Sequence, residues 1–273
     1  MLLKHEWRLN GQAVFGLLAA QIVCLVIGVG LGYLPPEWNV GVISTVQVLT
    51  MLVAVAAAVV LAVVLFAGYF RSMHGSLAAF TASTPVALGK HYAVKVLWAA
   101  VALWISFLLG FLGMTMIMGE VTGRTSYAAY HQMWKHMIPQ ICEFVGNNPK
   151  IAGLLILGTL TIAAGLAIEG AFVVTLGSSE RMAKFGTYGG IVIMVVVAWA
   201  ARNVAALLGL LIPVGIEIVP GPHQAITVSV VPMSISLLQQ NILPLGILIF
   251  PALLLLAMVV LTVRSLGRCY SLR

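Results

Sequence analysis

Long apolar stretches separated by short polar segments run along the whole chain. Six of these stretches are long enough to cross a bilayer as helices, because about 20 residues at a rise of about 1.5 Å each span its hydrocarbon core. They cover residues 12–33, 40–70, 96–119, 151–177, 188–219 and 242–263. The pattern predicts an all-α, polytopic membrane protein whose six transmembrane helices form one domain over residues 1–273.

Two of the polar segments have helical spacing of their own. Residues 1–11 mix apolar and charged side chains, which predicts a short interfacial helix with Trp7 at headgroup depth and Glu6 facing water. Residues 120–150 repeat aromatic and apolar side chains mostly at steps of three and four, which predicts an amphipathic outer segment. We expect the first segment to lie at the membrane surface, and the second either to lie on the outer membrane surface or to cap the spans.

Composition agrees with a membrane protein and narrows its partners. Hydrophobic residues make up 62% of the chain, charged residues only 8%, and the mean hydropathy is +1.10. A soluble domain carries about a quarter charged residues. The formal net charge of +7 favours contact with anionic lipid headgroups. Nucleic acid is not an expected partner, because the basic residues are spread over several loops.

The distribution of basic residues predicts the orientation of the chain. If both termini are cytosolic, ten of the 14 Lys and Arg residues fall on the cytosolic side and three on the outer side, with Arg202 inside a span. Lys and Arg are enriched in cytoplasmic loops of membrane proteins. We therefore expect a multi-pass protein of a cytoplasmic membrane with both ends in the cytosol.

The most polar cytosolic segment covers residues 71–95, between the second and third spans. It carries Arg71, Lys90 and Lys95 and contains no acidic residue. Its pattern predicts a short helix that Pro85 ends, because proline lacks the backbone N–H and disfavours helix in the residue before it. This segment is either a surface on which another protein docks or an ordinary solvated loop.

The residues of this segment resemble a known family. The sequences GSLAAFT at 75–81 and TPV at 84–86, followed by Lys95, resemble the loop between the second and third spans of type-2 ABC exporter permeases. The opening LLKHEWR at 2–8 resembles the amino terminus of the same family, and the six-span layout extends the likeness over most of the chain. The chain departs from the family in having no acid in this loop, where the ATPase docks.

The resemblance implies a function and a set of partners. It implies the permease subunit of a bacterial ABC exporter that moves a peptide, a lipid-linked molecule or an amphipathic compound outward. Separate ATPase subunits would bind ATP and Mg²⁺, and a second permease copy or paralogue would complete a dimer. Residues 220–241 would form short outer or re-entrant helices, and residues 71–95 a coupling helix with Phe80 as its anchor. The implied ATPase-coupling residues are Gly75, Leu77, Phe80, Thr81, Thr84, Pro85 and Lys90.

Sequence motifs for catalysis are missing from the chain. It has no GxxxxGK[ST] phosphate loop, no HExxH pair, no Gly-x-Ser-x-Gly elbow and no aspartate. His131 and His136 have poor spacing for a metal site, so we expect no metal and no cofactor bound by this chain. The alternatives to a transporter are a membrane-embedded enzyme that uses Glu169, His131 or His223, and a non-transporting scaffold or sensor.

Among the polar residues inside the predicted spans, Glu169, Arg202 and Asn203 are candidates for a functional role. An intramembrane charge is costly unless it is paired or hydrated. Glu169 and Arg202 either form an ion pair that holds the fourth and fifth spans together or lie on a substrate path. A third alternative is that their side chains extend to an interface.

Overall fold

The computed structural model describes residues 2–32, 40–75, 78, 81, 86–123, 135, 139, 143, 146, 149–210, 212, 214–220, 226–232 and 242–271. Six of its helices are long and apolar enough to cross a membrane. The predicted architecture of six transmembrane helices is therefore confirmed. In lipid a helix satisfies its backbone hydrogen bonds internally, which is why long apolar runs adopt this form.

The described elements follow one another in a simple order. They are α1 (Leu2–Gly32), α2 (Val40–Met73), α3 (Leu88–Gly123), α4 (Pro149–Gly177), a 3-10 helix (Glu180–Phe185), α5 (Gly186–Leu210), β1 (Val214–Pro220), β2 (Ile226–Pro232), β3 (Ile242–Pro244) and α6 (Leu245–Ser271).

The amino terminus differs from its prediction. Residues 1–11 were expected to form a separate interfacial helix, but α1 runs without a break from Leu2 to Gly32. Asn10 and Gly11 lie at the predicted boundary between the interfacial helix and the first span. Gly11 is buried, however, and Asn10 bonds to Glu6, so the polar turn is covered by protein and the helix continues.

The end of the predicted segment 71–95 also belongs to a helix. α2 continues to Met73 and α3 begins at Leu88, so Lys90 and Lys95 lie on the first turns of α3. The connection between the two helices is therefore shorter than the sequence suggested. Residues 88–95 contain no proline, so they are compatible with a helix that begins before Val96.

Strands replace part of the predicted fifth span and part of the outer segment. α5 ends at Leu210, and residues 214–244 contain a three-stranded antiparallel sheet in the order β2-β1-β3. Ile216 pairs with Val230 and with Leu243. The prediction of a fifth span to residue 219 was wrong at this end, and residues 226–232 are extended and not helical. Isoleucine and valine suit both a buried helix and a strand, so hydropathy alone could not separate the two.

The chain divides into two compact units. The first comprises Met1–Met73 and Lys90–Ala167, and the second comprises His74–Gly89 and Ile168–Arg273. The core of the first unit includes Val14, Leu18, Leu61, Leu65, Leu103, Ala163 and Ala167. The core of the second unit is formed by Phe172, Val173, Met194, Ala198 and Met258.

Close glycine contacts hold both ends of α5. A Cβ at Gly190 would overlap the carbonyl oxygen of Gly177 in α4, and a Cβ at Gly246 in α6 would overlap that of Gly209. Glycine at these positions lets the backbones approach more closely than any side chain would allow. α5 is therefore fixed against α4 at one end and against α6 at the other.

Candidate functional site

A buried ion pair joins α1 to α3. The ammonium of Lys95 contacts Oε1 of Glu6, and the two side chains are 5% and 6% exposed. Glu6 was expected to face water and Lys95 to remain a cytosolic cation. The expectation for Glu6 was wrong, because its carboxylate is buried against Lys95, whereas the side of the membrane on which Lys95 lies stays a prediction.

A third polar side chain completes this cluster. Asn10 lies one helical turn after Glu6 and donates from Nδ2 to Glu6 Oε2 at 3.4 Å. The amide of Asn10 fits against Gly68 of α2, where a Cβ would lie 2.7 Å from Asn10 Oδ1. The cluster Glu6, Asn10 and Lys95 is therefore enclosed by α1, α2 and α3.

Aromatic rings make another contact between α1 and α3. The Trp7 ring lies 4.8 Å from Phe15 and 5.6 Å from Trp98, measured between centroids, with tilted planes. Trp7 is next to Glu6 in α1, and Trp98 is one turn beyond Lys95 in α3. The rings make a second contact between the same two helices at the same level.

Glutamines make further polar contacts inside the first unit. Gln21 donates to the carbonyl oxygen of Ser106 at 3.1 Å and accepts from its hydroxyl at 2.9 Å. Gln47 of α2 donates to the carbonyl oxygen of Gly28 at 3.1 Å. Both glutamine side chains are fully buried. A polar group buried at membrane depth needs a partner, and these bonds supply one from a neighbouring helix.

The second unit contains the ion pair that the sequence suggested. Arg202 Nη1 of α5 lies 3.3 Å from Glu169 Oε2 of α4, so the two residues are in contact. The pair is open, since the Arg202 side chain is 54% exposed and the Glu169 side chain 17%. Asn203 donates to the carbonyl oxygen of Trp199 at 2.8 Å and so bonds within its own helix. Whether the pair serves stability or a substrate path stays a prediction.

The segment 71–95, which contains the predicted coupling residues, is described only in part. Gly75 lies in a bend, and its carbonyl oxygen accepts from the amide of Ala78 at 3.1 Å, which is the geometry of a short helical turn. Thr81 is helical and buried, and Lys90 is exposed on α3. The other predicted coupling residues, Leu77, Phe80, Thr84 and Pro85, lie outside the described residues.

Most of the remaining outer segments lie outside the described residues as well. Within 120–150 the structure describes the end of α3, the helical residues Lys135, Pro139, Glu143 and Gly146, and the start of α4. Within the described part of the chain, no group of three His, Cys, Asp or Glu side chains is arranged to hold a metal ion.

Of the two ion pairs among the residues that the structure describes, sequence reasoning found one and missed the other. Glu169 and Arg202 stood out because each is a lone charge in an apolar stretch. Glu6 and Lys95 lie in segments rich in other charges, so they looked like ordinary surface residues. The spacing of Glu6 and Asn10, four residues apart on one helix face, indicates that these two can meet, but it does not indicate Lys95 as the partner of Glu6.

Comparison of the chain with protein-family models, curated proteins and solved structures finds no match. The fold itself defines the class, which is a membrane protein with six long apolar helices.

Proposed function

We propose that this chain is the membrane-spanning permease subunit of a bacterial ABC exporter. The observation that carries the proposal is the position of the family-like residues. Gly75, Ala78 and Thr81 follow the second long helix, and Lys95 lies at the start of the third. The loop of type-2 exporter permeases that these residues resemble connects the same two spans. Six candidate spans in one chain support the same assignment.

The chemistry of the chain requires partners for this function. Without a phosphate-loop motif the chain needs separate ATPase subunits that bind ATP and Mg²⁺. A second permease copy or paralogue completes the translocation unit. Closure of the ATPase dimer displaces the segment 71–95, and the outer ends of the spans open to release a peptide, a lipid-linked molecule or an amphipathic compound.

Glu169, Arg202 and Asn203 are the candidates for the substrate path. Arg202 lies inside the candidate span Tyr188–Gly209, yet more than half of its side chain is uncovered by the rest of the chain. A charge in this position avoids hydrocarbon, so it faces water, another protein or the substrate. Its free N–H groups suit an acidic or hydrogen-bond-accepting part of a substrate.

Purification with native partners tests the proposed function. The tagged chain, extracted from membranes of its own host, should retain a partner that binds a photoreactive ATP analogue and contains a phosphate-loop sequence. Phe80→Ala should lower the recovery of this partner, since a buried aromatic anchor dominates a small interface. Phe111→Ala is the matched control, because Phe111 is an exposed aromatic residue of α3. Recovery of the wild-type chain without any nucleotide-binding partner would contradict the proposal.

Thiol labelling tests the orientation. On a cysteine-free background, single cysteines at Ser126 and His223 should react with an impermeant reagent in intact cells. Single cysteines at Ser76 and Ser179 should react only after the membrane is opened. The reverse result would show that the termini lie outside.

A further inference from the structure

Helix α1 contacts both helices that flank the segment 74–87. On the α2 side, the amide of Asn10 rests against Gly68 just before the helix ends at Met73. On the α3 side, Glu6 pairs with Lys95 two turns after the helix begins at Leu88. Asn10 and Glu6 are themselves hydrogen-bonded, so one cluster on α1 connects both ends of the segment.

The contacts between α1 and α3 continue along both helices. The cluster with Lys95 lies at one level, and the bonded pair Gln21 and Ser106 lies at a second. At a third level, the side chain of Leu25 fills the space beside Gly113, where a Cβ would overlap it. The residue numbers rise together on the two helices, so α1 and α3 run in the same direction through these three contacts.

Contacts between α1 and α2 also occur at two levels. Asn10 meets Gly68 near one end of the pair, and Gln47 donates to the carbonyl oxygen of Gly28 near the other. Here the numbers run in opposite directions, as expected for antiparallel neighbours. α1 is therefore held to α2 and to α3 through buried polar or glycine contacts at both of its ends.

A buried ion pair suits such a connection better than an apolar contact would. Apolar side chains in a membrane can slide past one another, since lipid and protein surfaces are equally apolar. A buried charge can leave its counter-charge only at a high cost, so the pair holds one register of the two helices. Lys4 and Arg8, which flank Glu6 in α1, are exposed and have no such constraint.

We propose that Glu6 is a positioning residue that locks α1 to α2 and α3, so that a displacement of any one of them moves α1, α2 and α3 as one body. The inference deepens the proposed function and rests on it for the source of the displacement. Lys95, in this arrangement, transmits force to α1 and does not bind the ATPase.

The first experiment measures coupling in the purified complex with its ATPase. Glu6→Gln should leave ATPase recovery unchanged and lower the stimulation of hydrolysis by substrate at least fivefold. Lys4→Gln, which removes an exposed charge from the same helix, should change neither. Exchange of the charges in Glu6→Lys with Lys95→Glu should restore stimulation to within twofold of wild type. Unchanged stimulation in Glu6→Gln overturns the proposal.

A second experiment uses a cross-link in place of the ion pair. Cysteines at positions 6 and 95, joined by a short bis-methanethiosulfonate reagent, should give coupled hydrolysis close to wild type, and reduction of the link should abolish it. A cross-link that blocks transport would show that the pair separates during the cycle, which overturns the proposal. Because the link replaces the ion pair covalently, this experiment decides the matter even if Glu6→Gln fails to fold.

A third measurement separates this inference from the proposed function. Spin labels at the exposed positions Arg8 and Lys90 should give a narrow distance distribution in the chain alone, and Glu6→Gln should broaden it. A broad wild-type distribution overturns the locked arrangement whatever the partner is. If the wild-type chain recovers no ATPase but gives a narrow distance distribution, the proposed exporter function is rejected. The proposed role of Glu6 in holding α1 to α2 and α3 then still stands.

Discussion

The two ion pairs in the described part of the chain have opposite surroundings. Lys95 and Glu6 are almost wholly covered, and Asn10 binds the second oxygen of the Glu6 carboxylate. Arg202, in contrast, leaves more than half of its side chain uncovered beside a partly buried Glu169. The first pair joins parallel helices near the connection between α2 and α3, and the second joins consecutive helices inside the apolar part of the chain.

This difference separates what each pair can do. Glu6 and Lys95 form the closed pair, and Glu169 and Arg202 form the open pair. Nothing else can reach the charges of the closed pair, so its effect is confined to the positions of α1 and α3. The guanidinium of Arg202 has five N–H donors, and the contact with Glu169 uses only part of them. An open pair can therefore hold two helices and still bind a further acceptor. Substitutions in the two pairs should accordingly have different effects.

The largest expected effect is the loss of stability when the closed pair is broken. Glu6→Gln leaves the Lys95 ammonium buried without its counter-charge, which costs about 3–5 kcal/mol. We expect a clear fall in the thermal midpoint of the detergent-purified chain. The double variant Glu6→Gln with Lys95→Met should recover most of the loss, because it removes the stranded charge. A single variant as stable as wild type would show that the pair is hydrated.

A smaller effect is expected at the buried hydrogen bonds of the same unit. Gln21→Met keeps the volume of the side chain but removes both bonds to Ser106. Hydrogen bonds between membrane helices contribute about 0.6 kcal/mol each on average, so we expect a loss of about 1–2 kcal/mol. The control is Gln12→Met, since Gln12 is exposed on α1. A loss of stability as large as that of Glu6→Gln would show that Gln21 contributes as much as the ion pair to holding α1 against α3.

The smallest effect on stability is expected at the open pair. Glu169→Gln and Arg202→Gln should each change the free energy of unfolding by about 1 kcal/mol or less, as exposed ion pairs do. Both variants should nevertheless lower transport if the pair lies on the substrate path. A fall in the thermal midpoint equal to that of Glu6→Gln, with transport retained, would make this pair a structural contact like the first.

Part of this architecture could be predicted from the chain alone. The six spans follow from the lengths of apolar runs, and Glu169 and Arg202 follow from their isolation within such runs. The amino-terminal cluster could not be predicted, because Lys95 is 89 positions away from Glu6 along the chain. Local pattern carries no information about which of several charges will meet a distant partner.

The strands illustrate the same limit at the level of secondary structure. The run IEIV at 216–219 has the hydropathy of a membrane helix, and in the sequence it extends the fifth span. It forms β1 because β2 and β3 pair with it on both sides. Backbone hydrogen bonds in a sheet come from other segments, so the choice between strand and helix depends on contacts far along the chain.

The amino-acid sequence by itself determined that this protein lies in a membrane, how many helices cross it and where most of those helices lie. Those properties depend on the transfer of apolar side chains out of water and on backbone hydrogen bonds within single segments. The tertiary structure decided which charges became buried, that α1 continues through its polar turn, and that Arg202 stays uncovered. Each of these depends on how one segment packs against another, because the free energy of a charged side chain depends on how far it is buried and on its partner.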